Sequence, residues 1–268
     1  FLPDTPAVRQ DLSEFFGMIQ TVDHSMAALL DALDATGLSR DTLLLFTTDH
    51  GAAFPRAKST LYDPGMGVTL LARWPGVITG GGRVSGLTSH VDIAPTLLEL
   101  AGVPPAPEIQ GRSFARALRE PAAPLRDAVF AEKSWHGNEY DPMRAIRTDR
   151  FKYIRNFVPG YLYQLPLDIR RSDTAAAVDP ARRRPRPMEE LYDLATDPDE
   201  QRNLAASPDH QTLRAELSAR LAQWMKDTGD PLPERHIPFP MPEKTHFLNN
   251  MDCPEPMGRR PKAEPIRH

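Results

Sequence analysis

The residues best equipped for chemistry are Asp49 and His50, followed directly by Gly51, with Lys58 eight positions beyond His50. A carboxylate and an imidazole side by side can ligate a cation, and a lysine ammonium is a point charge suited to an oxyanion such as phosphate or sulfate. Position raises this group above an ordinary turn. Thr42-Leu-Leu-Leu-Phe-Thr-Thr has the length and composition of a buried strand, and it stops abruptly at Asp-His-Gly. Such a strand is expected in a parallel sheet, where ligands gather at the carboxyl ends. Alternatively, Asp49 caps the turn and His50 makes a local hydrogen bond.

The elements that must position this strand end can be predicted on both sides of it. Thr5 with Pro6 suits a helix start, and Leu12, Phe15, Ile19, Val22, Met26, Leu29 and Leu33 recur at spacings of three and four before Gly37. This stripe predicts a long amphipathic helix packed on a sheet. A Gly- and Pro-rich loop over 51–67 carries Lys58, Tyr62 and Asp63, and a second strand is expected over 68–74, closed by Pro75-Gly76. Residues 89–102 read as a helix capped by Asp92, with Pro95 in its first turn and Gly102 at its end. His90 at its entry suits a structural role better than a substrate contact. A short helix over 113–118 follows, and Glu120-Pro-Ala-Ala-Pro124 marks a boundary.

Beyond the boundary the pattern becomes that of short strands over 127–133, 143–148, 151–157 and 190–194, with a hairpin at Thr148-Asp149-Arg150. These predict a small antiparallel sheet. Ser207-Pro208 opens a last helix bearing Leu213, Leu217, Leu221 and Trp224 on one face, ended by Gly229. The predicted organisation is an α/β region over 1–124 with a sheet flanked by helices, a small α+β subdomain over 125–229, and a Pro-rich irregular tail over 230–268.

Other candidate features are weaker. Thr79-Gly-Gly-Gly-Arg83 lacks the Lys-Ser/Thr of a phosphate-binding loop, so a surface turn is expected. Residues 166–188 are polar and end in Arg182-Arg-Arg184-Pro-Arg186, which suits a solvated loop. The stretch Ser134-Trp-His136-Gly-Asn-Glu139-Tyr140 reads as a loop whose His136 and Glu139 suit sugar recognition. The net charge of −4 gives no bias toward nucleic acid or membrane, and no apolar run approaches the roughly 18–20 residues of a membrane helix. The single cysteine, Cys253, excludes an intramolecular disulfide.

Several of these segments, in this order, resemble sulfatases of the alkaline phosphatase superfamily. Thr42-Leu-Leu-Leu-Phe-Thr-Thr-Asp-His-Gly is similar to the family's metal-binding strand. Val91-Asp-Ile-Ala-Pro-Thr-Leu-Leu-Glu-Leu-Ala-Gly102 and Leu191-Tyr-Asp-Leu-Ala-Thr-Asp-Pro-Asp-Glu-Gln-Arg-Asn-Leu204 continue the likeness, which covers about residues 1–228. Phe1-Leu-Pro-Asp-Thr-Pro-Ala, the spacing from Asp49 through Phe54-Pro55 and Lys58 to Tyr62, and Pro142-Met-Arg144 look most like the N-sulfoglucosamine sulfohydrolase (heparan N-sulfatase) subgroup.

The resemblance implies hydrolysis of a sulfate ester or sulfamate on a sulfated sugar. It makes Asp49 and His50 ligands of a divalent cation, Lys58 a catalytic contact to the sulfate oxygens, and His136 and Glu139 candidate sugar contacts. Calcium is usual in the family, which more often has Asn where His50 stands; an imidazole leaves manganese, magnesium or zinc open. The family nucleophile is a formylglycine made from the Cys or Ser of a Cys/Ser-x-Pro/Ala-x-Arg motif. No serine of this chain fits that motif, and Cys253 in Asp-Cys-Pro-Glu has no Arg four residues on.

The nucleophile and two further Asp ligands are therefore expected in an N-terminal half that precedes Phe1 in a longer protein, together with any targeting signal. Bacterial cytoplasm, periplasm or lysosome would fit the family. On its own this chain is expected to be inactive. Alternatives are a phosphonate monoester or phosphodiester hydrolase of the same superfamily, and a catalytically dead glycan-binding relative.

Overall fold

The computed structural model describes residues 1–136, 139–232, 234 and 235, without the Asp179 side chain. The expected tail lies outside the described residues beyond its first positions, as does Cys253. The long helix α1 spans Pro6–Ala35, with Thr5 Oγ1 accepting the Val8 N–H at 3.3 Å. Gly37, at φ 75°, turns the chain away.

Strand β1 (Leu44–Thr47) leads through the Asp49 turn and the short helix α2 (Asp63–Met66) to strand β2 (Leu70–Arg73). The two strands pair antiparallel, Leu44 opposite Arg73 and Thr47 opposite Leu70, and form a sheet of their own. This corrects the expectation of a buried strand in a parallel sheet, for β1 is only half-buried. A two-stranded ribbon covers little of a helix of this length. Accordingly the α1 stripe is not packed away: Val8 is the helix's buried residue, while Ile19 and Val22 are each 45% exposed.

Helix α3 (Ile93–Leu100) follows a single 3-10 turn at His90–Asp92. Asp92 does not cap α3 as expected. Its buried carboxylate accepts the Ser89 and Arg112 N–H groups and pairs with Arg126, so it ties together three segments. Helix α4 spans Ala115–Arg119.

Beyond it, β3 (Ala128–His136), β4 (Glu139–Thr148), β5 (Phe151–Asn156) and β6 (Glu189–Asp193) form one antiparallel sheet in sequence order. Residues 134–136 and 139–140 are therefore strand ends rather than an open loop; Gly137 and Asn138 lie outside the described residues. Between β5 and β6 stand α5 (Leu167–Arg170) and α6 (Asp173–Arg182), where only a polar loop was expected. Arg182 and Arg186 from the basic run are buried rather than solvated. The last helix, α7, spans Gln211–Asp227.

Alternation along the strands gives this sheet two buried faces. Ile146, Tyr153 and Leu191 face Leu217, Leu221 and Met225 of α7. Ala145, Ile154 and Tyr192 face the opposite way, toward Leu61 and Tyr62 from the Asp49 loop and Ile169 of α5. The loop after the Asp-His-Gly turn is thus laid on one face of the second sheet.

Polar contacts fix it there. Tyr62 and Tyr192 hydroxyls both donate to Glu190 Oε2, at 2.8 and 2.6 Å. Lys152, fully buried, sits 2.5 Å from Asp63 Oδ1 and 2.8 Å from Glu200 Oε1. These are ion-pair distances at angles poor for a hydrogen bond. Arg56, at φ 64°, donates to the Asp199 and Glu200 carbonyls and lies over the Tyr62 ring at 4.1 Å.

Candidate active site

The Asp-His-Gly turn is set by a close approach of backbone. Gly51 N–H donates to Gly65 O at 3.0 Å, and a β-carbon on Gly51 would lie 1.8 Å from the Pro64 carbonyl oxygen. Only glycine fits, so the turn is pinned to the start of α2 and Asp49 and His50 are left facing outward.

Their mutual geometry suits a cation. His50 Nδ1 lies 2.7 Å from the Gly51 carbonyl, which can only accept, so Nδ1 carries the proton and Nε2 presents a lone pair. Nε2 in turn lies 3.6 Å from Asp49 Oδ2, too far for a hydrogen bond but short enough for both atoms to approach one ion. A backbone carbonyl that fixes the ring through its other nitrogen is the usual support of a metal-bound histidine. Asp49 Oδ1 accepts the His50 N–H at 2.9 Å, which fixes the carboxylate as well. The pair fits two positions of a metal site. Among the described residues no third His, Cys, Asp or Glu joins them in a cluster able to hold an ion.

Asp49 and His50 open onto a cleft of about 330 Å³, whose other walls include His90, Lys133, Trp135 and His136. A register shift positions the last two. Lys133 faces Met143 but Trp135 faces Tyr140, so two steps on β3 match three on β4. The extra residue falls at Asp141-Pro142, where Pro142 has no N–H to contribute to the ladder. Buried Arg144 secures the bulge, donating to Lys133 O at 2.8 Å, Ser134 Oγ at 3.2 Å and Asp230 Oδ1 at 3.1 Å. His90 Nε2 is 3.0 Å from Thr47 Oγ1, so it both lines the cleft and braces the end of β1.

The β3 wall of the cleft carries both signs of charge, Glu132 beside Lys133. Lys133 Nζ is 2.7 Å from Asp141 Oδ2, and Arg186 Nη1 is 2.5 Å from Asp141 Oδ1. Burial pulls the Lys133 ammonium below its ordinary range despite Asp141. Burial likewise holds the His136 imidazole below its ordinary 6.5; the charges of Lys133 and Lys58 act the same way, against Asp168 and Glu139.

The structure brings Asp49, His50 and His136 onto one cleft, whereas Lys58 and Glu139 are not among its lining residues and each neighbours one that is. Lys58 precedes the cleft-lining Ser59, and its Nζ lies 2.5 Å from Asp168 Oδ2 on α5. Glu139 is the cross-strand partner of His136 and is bound by Arg170, also on α5. Lys133, Asp168 and Arg170 were missed in the sequence. Lys133 read only as the end of a strand. Asp168 and Arg170 fell in the presumed loop, although Pro166 before Leu167-Asp168 is a helix-start signal that could have exposed them.

Comparisons with known proteins bear on the family and the fold. Residues 1–103 match the model of the sulfatase family, and residues 53–171 match that described as N-sulphoglucosamine sulphohydrolase, C-terminal. An ulvan-active sulfatase of Formosa agariphila is 33% identical over 88% of this chain and 42% of its own length. Human N-sulphoglucosamine sulphohydrolase is 31% identical over 86% of this chain and 51% of its own. The chain therefore spans about half the length of these curated relatives. A solved structure described as a 2-O GAG sulfatase superposes with a TM-score of 0.62 at 26% identity, over 80% of this chain and 42% of its own. By motif order, fold and these matches, the chain belongs to the sulfatase family.

Proposed function

We propose that the whole protein hydrolyses a sulfate ester or sulfamate on a sulfated sugar, with an N-sulfoglucosamine or heparan-type unit as the favoured substrate. The observation that carries this is the convergence of the Asp49–His50 pair with Lys133 and His136, from the second sheet, on one cleft. The named activities of the ulvan-active and N-sulphoglucosamine relatives support the substrate class. Residues 1–124 would complete the catalytic α/β domain, and residues 125–229 would form a subdomain that closes the cleft.

Asp49 Oδ2 and His50 Nε2 would hold a divalent cation, calcium by family habit or manganese, magnesium or zinc by the imidazole's preference. When bound, such an ion stabilises negative charge developing on the transferred group's oxygens. Lys58 contributes a second positive charge to those oxygens. Neutral His136 offers a donor or an acceptor to sugar hydroxyls, while Glu139 beside it offers an acceptor. The formylglycine nucleophile and the remaining acidic ligands are assigned to the N-terminal half of the longer protein. The same half would cover the apolar face between α1 and β1–β2, a space of about 1000 Å³ lined by Phe15, Val22, Met26, Phe46 and Leu71.

The test is sulfate release by the full-length protein from N-sulfoglucosamine and from an aryl sulfate, before and after chelation. Turnover that falls with chelation and in Asp49→Ala is expected, whereas residues 1–268 alone should release none. Turnover of a phosphonate monoester or phosphodiester without sulfate release would replace this reading.

A further inference from the structure

Lys58, the cation that the proposed chemistry requires at the substrate's oxyanion, is already engaged. Its partner Asp168 is 110 positions away in sequence, and α5 carries it to the loop whose Ser59 lines the cleft, where Nζ and Oδ2 meet at 2.5 Å. We propose that Asp168 is a resident counter-anion, which occupies Lys58 when the cleft is empty and is exchanged for the substrate's oxyanion when the cleft fills. This rests on Lys58 being the oxyanion contact.

Three observations support an exchange rather than a permanent tie. First, water reaches the pair from the acid's side: the Asp168 side chain is 51% exposed and that of Lys58 21%, in contrast to Lys152 and Glu200, which are fully buried. A solvated ion pair is weak because water and salt screen it, so a better-placed anion can displace it. Second, a carboxylate oxygen and a sulfate oxygen make the same charge-assisted bond to an ammonium, so one replaces the other without rebuilding the site. Third, the exchange lies beside the substrate cleft. Ser59 lines it, and both Lys58 and Asp168 act on the charge of cleft-lining His136.

Arg170, two residues on, binds Glu139 from the same helix. Helix α5 therefore presents an acid to the basic site residue and a base to the acidic one. Asp168 acts through Lys58 and is a positioning residue. Its consequence is selectivity, since an anion that binds Lys58 no better than a carboxylate does not dislodge it.

The test compares wild type, Asp168→Asn and Asp168→Glu of the full-length enzyme on an aryl sulfate, with inorganic sulfate as competing inhibitor. Asn keeps the shape and removes the charge. It should lower both KM and the inhibition constant of sulfate by about two- to five-fold, the range expected for losing one exposed ion pair. The effect should fall on KM rather than kcat, and Glu should restore wild-type values. The gain should vanish in a Lys58→Ala background, as a merely structural role for Asp168 would not require. Asp168→Ala serves in place of Asn should that variant fold poorly. An unchanged or raised KM in the charge-removing variants overturns the exchange. If Lys58→Ala alone leaves turnover intact, the assignment of Lys58 has failed instead.

Discussion

The two sheets of this chain satisfy their side chains in opposite ways. The β3–β6 sheet is covered on both faces and closes its own core, even burying the charged Lys152 and Arg144 with partners. The β1–β2 ribbon leaves α1 with Met18 71% exposed and an apolar space beside Phe46 and Leu71. Burying a charge is costly unless it is paired, so Lys152 marks a region whose packing is fully specified. Apolar residues on an open face have gained nothing from burial. The loop from Asp49 to Gly67 joins these regions: its start belongs to the open ribbon, and its end is locked to the closed sheet.

The largest test of this contrast is Lys152→Ala. It leaves Glu200 buried without its cation and Asp63 with Arg147 alone, and about 3–5 kcal/mol of stability should be lost in urea unfolding. A loss below about 1 kcal/mol would mean that the buried pair does not hold the loop.

Leu221→Ala, in the core between α7 and the sheet, should cost about 2–5 kcal/mol. Val22→Ala on α1 should stay within about 0.5 kcal/mol in residues 1–268 alone. In the full-length protein its cost should rise, if the N-terminal half covers that face. Equal costs for the two substitutions in the short chain would erase the difference between the regions.

Gly51→Ala probes the join. Its methyl group would collide with the Pro64 carbonyl, so the turn must shift, at about 1–3 kcal/mol. Metal affinity in the full-length protein should fall as well, read by calorimetric titration, because Asp49 and His50 lose their common orientation.

The smallest effect is a titration. Burial lowers the folded pKa of His136 below 6.5, so its neutral form is favoured on folding. Between the folded value and 6.5 the unfolded chain binds more protons. The contribution to stability is therefore complete above pH 6.5 and is lost as pH falls through the folded value. An NMR titration of the His136 ring that gave 6.5 or above would mean that the ring is not desolvated in the cleft.

Much of the closed region was readable from local pattern. Alternation at Ala145-Ile146 and Tyr153-Ile154, the tight turn at Thr148-Asp149-Arg150, and the Leu217–Leu221 spacing fixed strands and helix without knowledge of their neighbours. The short helices α5 and α6 escaped, since a polar stretch carries little periodicity and α5 is a single turn. The buried state of Arg182 and Arg186 was equally hidden. A run of arginines looks solvated until a partner such as Asp141, dozens of residues away, is known.

The sequence by itself determined that the first strand runs into Asp49-His50-Gly51 and that α1 carries an apolar stripe, because both follow from residues adjacent in the chain. It also carried the order of motifs that marks the family. Only the tertiary structure decided what the strand end faces. The antiparallel pairing of β1, the bulge that brings His136 to the cleft, the seating of the Lys58 loop on a sheet begun sixty residues later, and the capture of Lys58 by Asp168 are all contacts between distant segments. Their free energies depend on burial and charge pairing that no local pattern encodes.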